Sequence, residues 1–205
     1  IEEVEKKISK RTKAILVVHM FGHPAEIETI KKISKENNLY IVEDAAEAHG
    51  AIYKKKRVGS FGDLSCFSFY ANKIITTGEG GMVLTNNKSL GEKLRSLRNL
   101  SFGKKKRFYH DNVGYNYRLT NMQAAIGCSQ IENIEKHISI KRKNTFLYNK
   151  ILSKMNLPLR LPSEKNHVSS VFWMYGIVIE KKICKAATLA KELQSYGIET
   201  RPLFL

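Results

Sequence analysis

The chain has 205 residues, of which 42% are hydrophobic, enough to build a core and to exclude general disorder. Its 3 cysteines, Cys66, Cys128 and Cys184, are widely spaced and odd in number, which excludes a disulfide framework and a CxxC metal site. The formal net charge of +16 brings nucleic acid and anionic metabolites into question as partners, but no zinc-finger spacing, basic heptad helix or RRM-like aromatic motif accompanies it.

The runs Lys54-Lys55-Lys56-Arg57 and Lys104-Lys105-Lys106-Arg107 are short and lie beside Gly59 and Gly103, so both read as solvated loops. Cys66 and Cys128 stand among apolar or small residues and read as buried structural thiols. No apolar run reaches bilayer length and no signal-peptide pattern is present, so the expected compartment is the cytoplasm.

In chain order, Ile1, Val4 and Ile8 repeat at helical spacing among charges. Ala14-Ile15-Leu16-Val17-Val18 is a continuous apolar run, which predicts a strand buried on both faces of a parallel sheet. Ile27, Ile30 and Ile33 mark an amphipathic helix over 25–36. Leu39-Tyr40-Ile41-Val42 is the next strand, ending at Glu43-Asp44. Residues 51–63, with Gly59 and Gly62-Asp63, read as a turn or short hairpin. Strands follow at 64–69 and 81–85, and a basic helix at 88–98. Residues 99–118 read as an extended loop, and 120–152 as one long helix. Pro158 and Pro162 suggest a domain boundary near 150–165. A strand over 171–179, a helix over 186–196 and a further strand from Gly197 complete the pattern. Strand and helix alternate, which predicts an α/β fold with a mostly parallel sheet.

Ligand sites in such sheets lie off the carboxyl ends of the strands. Asp44 follows one strand there, and Ser68-Phe69-Tyr70-Ala71-Asn72-Lys73 follows another, just before Thr76-Thr77-Gly78-Glu79-Gly80-Gly81. A lysine and a carboxylate at two strand ends are what pyridoxal 5'-phosphate (PLP) chemistry needs: an amine to form a Schiff base with the aldehyde, and an anion to keep the pyridine nitrogen protonated. Each residue also has a plainer reading. Asp44 could cap a helix, Glu47 could face solvent, and Ser68 could be an ordinary strand residue. His19 and His49 have no paired nucleophile and read as structural; His110 and Arg201 are open between a surface and a substrate role.

These motifs resemble the DegT/DnrJ/EryC1/StrS family of PLP-dependent sugar aminotransferases. The resemblance runs through Val18-His19-Met20-Phe21-Gly22-His23-Pro24, Glu43-Asp44-Ala45-Ala46-Glu47-Ala48, Gly59-Ser60-Phe61-Gly62-Asp63 and the lysine loop. It continues in Gly114-Tyr115-Asn116-Tyr117-Arg118-Leu119-Thr120-Asn121-Met122-Gln123 and Gly197-Ile198-Glu199-Thr200-Arg201-Pro202.

It implies the PLP-dependent transferase fold of type I, with residues 1–150 part of the large PLP-binding domain and 151–205 the start of a small C-terminal domain. It also implies Lys73 as the catalytic lysine, Asp44 as the pyridinium partner, Glu47 near the cofactor ring and Ser68 on its phosphate. Asn116 would reach the phosphate from the partner subunit of a homodimer that shares its active sites. The implied substrates are glutamate and a nucleotide-linked 4-keto-6-deoxy sugar, with neither membrane nor nucleic acid as partner and no metal. A dehydratase branch of the family carries histidine in place of the lysine, and Lys73 argues against it. Family members are about twice this length, so the chain is expected to be cut at both ends. An inactive fragment of such an enzyme, or a basic nucleic-acid-binding protein, are the alternatives.

Overall fold

The structure is a computed structural model that describes residues 1–103, 106, 108–110, 112–180 and 182–203. A short helix α1 (Glu2–Lys7) leads to strand β1 (Ala14–Val18), helix α2 (Ile27–Glu36) and strand β2 (Tyr40–Asp44). A hairpin of β3 (Ile52–Tyr53) and β4 (Lys56–Arg57) precedes β5 (Leu64–Ser68) and β6 (Gly81–Leu84). Helices α3 (Lys88–Arg98), α4 (Asn121–Glu132) and α5 (Ile134–Lys154) follow, then β7 (Leu159–Arg160), β8 (Val168–Ser169), β9 (Val178–Ile179) and α6 (Ala186–Ser195).

The main sheet has the order β1-β2-β5-β6. Its first three strands are parallel and β6 runs antiparallel to β5, as the alternating pattern predicted. The register pairs Val18 with Asp44 and Asp44 with Cys66, so the carboxyl ends of β1, β2 and β5 form one rim.

The isoleucines of α2 explain why one sheet face is covered. Ile27, Ile30 and Ile33 are buried and share a helix face; Ile27 and Ile30 pack with Val17 and Ile41, together with Tyr53 and Val168. The opposite face is open, contrary to the expectation of a strand buried on both sides. Leu16 is 63% exposed and Val18 41%, because among the described residues α2 packs against one side only. A second core joins Ala45, Ala48, Ala51, Val58, Ile74, Ile75, Ile138, Val171 and Trp173. Residues 168–173 thus pack with the first half of the chain: β8 pairs with β3, and Val171 and Trp173 enter the second core.

Other expectations shift in detail. The long helix over 120–152 is two helices, broken at Asn133, whose side chain donates to Ser129 O at 2.9 Å. The predicted strand over 171–179 is reduced to Val178–Ile179, because the backbone N–H groups of Val171 and Trp173 bond Gly22 O and Phe21 O instead of a sheet partner. No strand begins at Gly197, which turns with φ +75°. As expected, residues 51–63 include a short hairpin and the Lys54–Arg57 run is exposed, supplying its turn and β4, with Lys54 paired to Glu28 and Arg57 to Glu135. Lys104, Lys105 and Arg107 of the other run lie outside the described residues. Cys128 is exposed on α4, not buried.

One buried carboxylate ties the rim together. Glu43 is fully buried, and its Oε1 accepts the N–H groups of Phe61 (2.7 Å) and Gly62 (2.6 Å). Its Oε2 accepts Gly59 N–H at 2.7 Å and lies 3.1 Å from His19 Nε2. His19 Nδ1 accepts Ala25 N–H at 3.1 Å, which assigns the proton to Nε2 and makes the ring a donor to Glu43. Burial works to raise the Glu43 pKa, but the bonds from His19 and from the Gly62, Gly59 and Phe61 amides outweigh it and hold the group below its usual value. Gly59 is required here: its φ is +84°, and a Cβ would stand 2.4 Å from the Phe67 ring. Glu43→Ala would strand three amide donors, so urea unfolding should show a loss of about 3–5 kcal/mol. A loss below about 1 kcal/mol, the worth of one ordinary hydrogen bond, would contradict this role.

Candidate active site

The rim carries side chains of two kinds. Residues that alternate along a strand point to opposite faces, so Glu43 serves the turn beneath while Asp44, Cys66 and Ser68 share the open face. Asp44 Oδ1 accepts Ala46 N–H at 3.0 Å; among the described residues Oδ2 takes no hydrogen bond. Burial and the neighbouring Asp44 charge push the Cys66 thiol pKa up, so it stays protonated. Ser68 Oγ accepts Tyr70 N–H at 3.3 Å, and its own proton remains to be donated.

The lysine loop leaves β5 through a set of local bonds. Thr76 Oγ1 and Thr77 N–H both donate to Phe69 O, at 3.0 Å each, and Phe69 N–H donates to Gly80 O at 2.8 Å. Helix α4 holds the loop from outside: Gln130 Oε1 accepts Thr76 N–H at 3.2 Å, and Gln123 Nε2 donates to Glu79 O at 3.1 Å. Gln123 is itself fixed by a capping box with Thr120. Gly80 makes the closure possible, with φ +139° and a Cβ position 2.8 Å from Leu119. Buried Ile74 and Ile75 anchor the middle of the loop in the core.

Lys73 therefore emerges from a pinned segment. Its side chain is 12% exposed, and Nζ lies 3.8 Å from Glu47 Oε1 and 4.0 Å from the Trp173 ring centroid. Glu47 is buried, not solvent-facing, and its Oε2 accepts Phe21 N–H at 2.8 Å. Behind the lysine sits His49, buried between Phe67 and Phe69, with ring centroids 5.3 and 5.7 Å away. Both of its nitrogens lack a hydrogen-bond partner among the described residues. Burial first, and the Lys73 charge second, push its pKa down to about 4, so the ring is neutral at physiological pH.

The structure brings Asp44, Glu47, Ser68 and Lys73 to one rim. It does not connect Asn116 to them: that residue is exposed and bridges to Asn99 beyond α3, in a loop where Arg118 Nη1 donates to Asn99 Oδ1 at 2.7 Å. His19 is structural through Glu43. His110 is exposed, its Nδ1 2.6 Å from Leu100 O, and Arg201 is exposed at the chain's end. Sequence reasoning missed Trp173 and the Phe21 amide. The only local signal was that Trp173 is the single tryptophan of the chain.

The donor set fits PLP. The groups that remain unspent are an amine with no hydrogen bond among the described residues, a carboxylate oxygen at a strand end and a hydroxyl proton beside it. The chain belongs to the DegT/DnrJ/EryC1/StrS aminotransferase family, whose model matches residues 1–205; the family is PLP-dependent. It is 41% identical over 204 residues to a GDP-perosamine synthase of Escherichia coli O157:H7, covering 100% of this chain and 55% of that protein. Among solved structures, the aminotransferase TlmJ from Streptoalloteichus hindustanus superposes with a TM-score of 0.92 at 26% identity, over 99% of this chain and 55% of that one. An E. coli GDP-4-keto-6-deoxy-D-mannose-3-dehydratase with bound hydrated PLP superposes at 0.88 with 28% identity, over 98% and 56%. The chain thus spans about half the length of the relatives it matches.

His49 gives the fold a pH dependence of defined sign. The unfolded chain takes up this proton below its ordinary 6.5 and the folded chain only below about 4. Stability from this group is therefore complete above pH 6.5 and falls as the pH drops toward 4, by up to about 3 kcal/mol. Urea unfolding across that window should show the slope flattened in His49→Phe. Equal slopes in the two proteins would contradict the assignment.

Proposed function

We propose that the whole protein is an aminotransferase that moves an amino group from glutamate to C4 of GDP-4-keto-6-deoxymannose, the GDP-perosamine synthase reaction. One observation carries the reading: Lys73, 12% exposed and paired with Glu47, follows the Ser68 end of β5, which runs parallel to the Asp44 end of β2, in a chain similar throughout to GDP-perosamine synthase. In this reading the Asp44 carboxylate would hold the ring nitrogen protonated, the Ser68 hydroxyl would donate to the phosphate, and Glu47 would lie near the ring. When bound, the cofactor supplies an aldehyde that accepts the amino group and an electron sink for the pair left at the substrate carbon. Lys73 Nζ would move a proton in each half-reaction: from the α carbon of glutamate to the cofactor in the first, and from the cofactor to the sugar carbon in the second.

A homodimer belongs to the same proposal. On helix α4, Met122 is 77% exposed, Ile126 50% and Ile131 53%, large apolar side chains of the kind a neighbouring subunit covers. Asn116 and the stacked Tyr115 and Tyr117 lie in the loop leading to that helix, in keeping with a residue that serves the partner's site. The division into a large part (1–150) and a small part (151–205) is carried with this reading, residues 168–173 reaching back to the large part. No helix among the described residues is long and apolar enough to cross a membrane; a cytoplasmic location is proposed with the substrates.

The test uses the full-length protein with glutamate and GDP-4-keto-6-deoxymannose, following 2-oxoglutarate and the aminated sugar by mass spectrometry. Both products should form, and Lys73→Ala should lower kcat by about 10⁴-fold. Undiminished turnover in that variant, or no amination of this sugar, would overturn the reading.

A further inference from the structure

Resting on that reading, we propose that Trp173 is a positioning residue for Lys73, holding both its ammonium group and the backbone from which it springs. The indole ring face lies 4.0 Å from Nζ, the arrangement in which a cation is drawn to the ring quadrupole. The same indole donates Nε1–H to Asn72 O at 2.8 Å. That carbonyl belongs to the residue just before the lysine, so one side chain grips both ends of the Lys73 stem.

The grip has a rigid foundation. Trp173 N–H donates to Phe21 O at 3.0 Å, and Lys141 Nζ donates to Trp173 O at 3.1 Å. Phe21 N–H in turn donates to Glu47 Oε2, whose other oxygen is the one beside Lys73. Lys73, Glu47, Phe21, Trp173 and Asn72 form a closed circuit across four separate stretches of chain. Phe21 keeps a φ of +54° within it, a conformation costly for a bulky residue and retained where surrounding contacts over-determine it.

A packing role alone does not account for this. Trp173 joins Ala45, Ala48 and Ile75 in the core, where a phenylalanine or leucine would also exclude water. The bond to Asn72 requires the indole N–H, and the contact with Nζ requires an aromatic face. A lysine side chain has several rotatable bonds, and a catalytic amine that must meet two different substrates gains from having its path restricted. The ring offers a surface over which Nζ can travel while the stem stays fixed.

Two measurements test this, one of them without cofactor. The chain has one tryptophan, hence one indole ¹H–¹⁵N cross peak. In the cofactor-free protein that peak should shift in Lys73→Ala and stay in place in the distant Lys13→Ala. A peak indifferent to Lys73→Ala overturns the contact, whatever the enzyme does. The second measurement follows PLP binding by its visible circular dichroism, which reports how the bound ring is held. Trp173→Phe should keep the dichroic band with binding about 3- to 10-fold weaker, the loss of one hydrogen bond. Trp173→Leu should weaken binding by about 30-fold or more and lose most of the band, as a displaced reacting group does. A folded Trp173→Leu with wild-type affinity and dichroism overturns the proposal; if that variant does not fold, unchanged values in Trp173→Phe overturn it instead. Wild-type protein that binds no PLP sinks the aminotransferase reading, while the indole cross peak still decides the contact.

Discussion

A carboxylate at the end of β2 organises this structure. Glu43 spends both oxygens on the amides of the 59–62 turn and on the His19 ring, in a place with no access to water. The turn leads directly into β5, so the bond set that satisfies Glu43 also sets β5 beside β2 and brings Ser68 and the lysine loop to the rim. Asp44 is the next residue and, by strand alternation, points the other way. Within one dipeptide, Glu43 builds the rim while Asp44 keeps one carboxylate oxygen without a hydrogen bond among the described residues.

The same economy appears on a larger scale. One face of the sheet is closed by the isoleucines of α2, while the other keeps Asp44 and Ser68 beside exposed Leu16 and Val18. On the closed side Glu43 accepts or takes part in four bonds, and Ser65 Oγ donates to Gly59 O at 2.7 Å. Those on the open side keep unused capacity. His49 is buried between two phenylalanine rings with no hydrogen-bond partner among the described residues, and burial together with the Lys73 charge lowers its pKa.

Much of this was legible in the sequence, for identifiable reasons. The strand Ala14–Val18 and the helix Lys88–Arg98 begin and end where composition placed them, because apolar runs and helical periodicity are local properties. Asp44, Ser68 and Lys73 were found at strand ends by the same local logic. The single helix over 120–152 failed at Asn133, since its apolar spacing continues through the break and only a side-chain bond to Ser129 marks it. Leu16 and Val18 read as buried because periodicity reports apolarity and not what stands opposite. Trp173 lies 100 positions beyond the lysine it touches; no spacing rule links them, and only folding brings the 168–173 segment onto Phe21 and Gly22.

Among 35 lysines and arginines in a strongly basic chain, Lys73 is the one proposed to receive the cofactor. Incubation with PLP, reduction with borohydride and peptide mapping by mass spectrometry address that directly. The account predicts a single pyridoxyl group on Lys73, absent from Lys73→Ala. Label scattered over surface lysines, in the extended protein as well as in this chain, would contradict it.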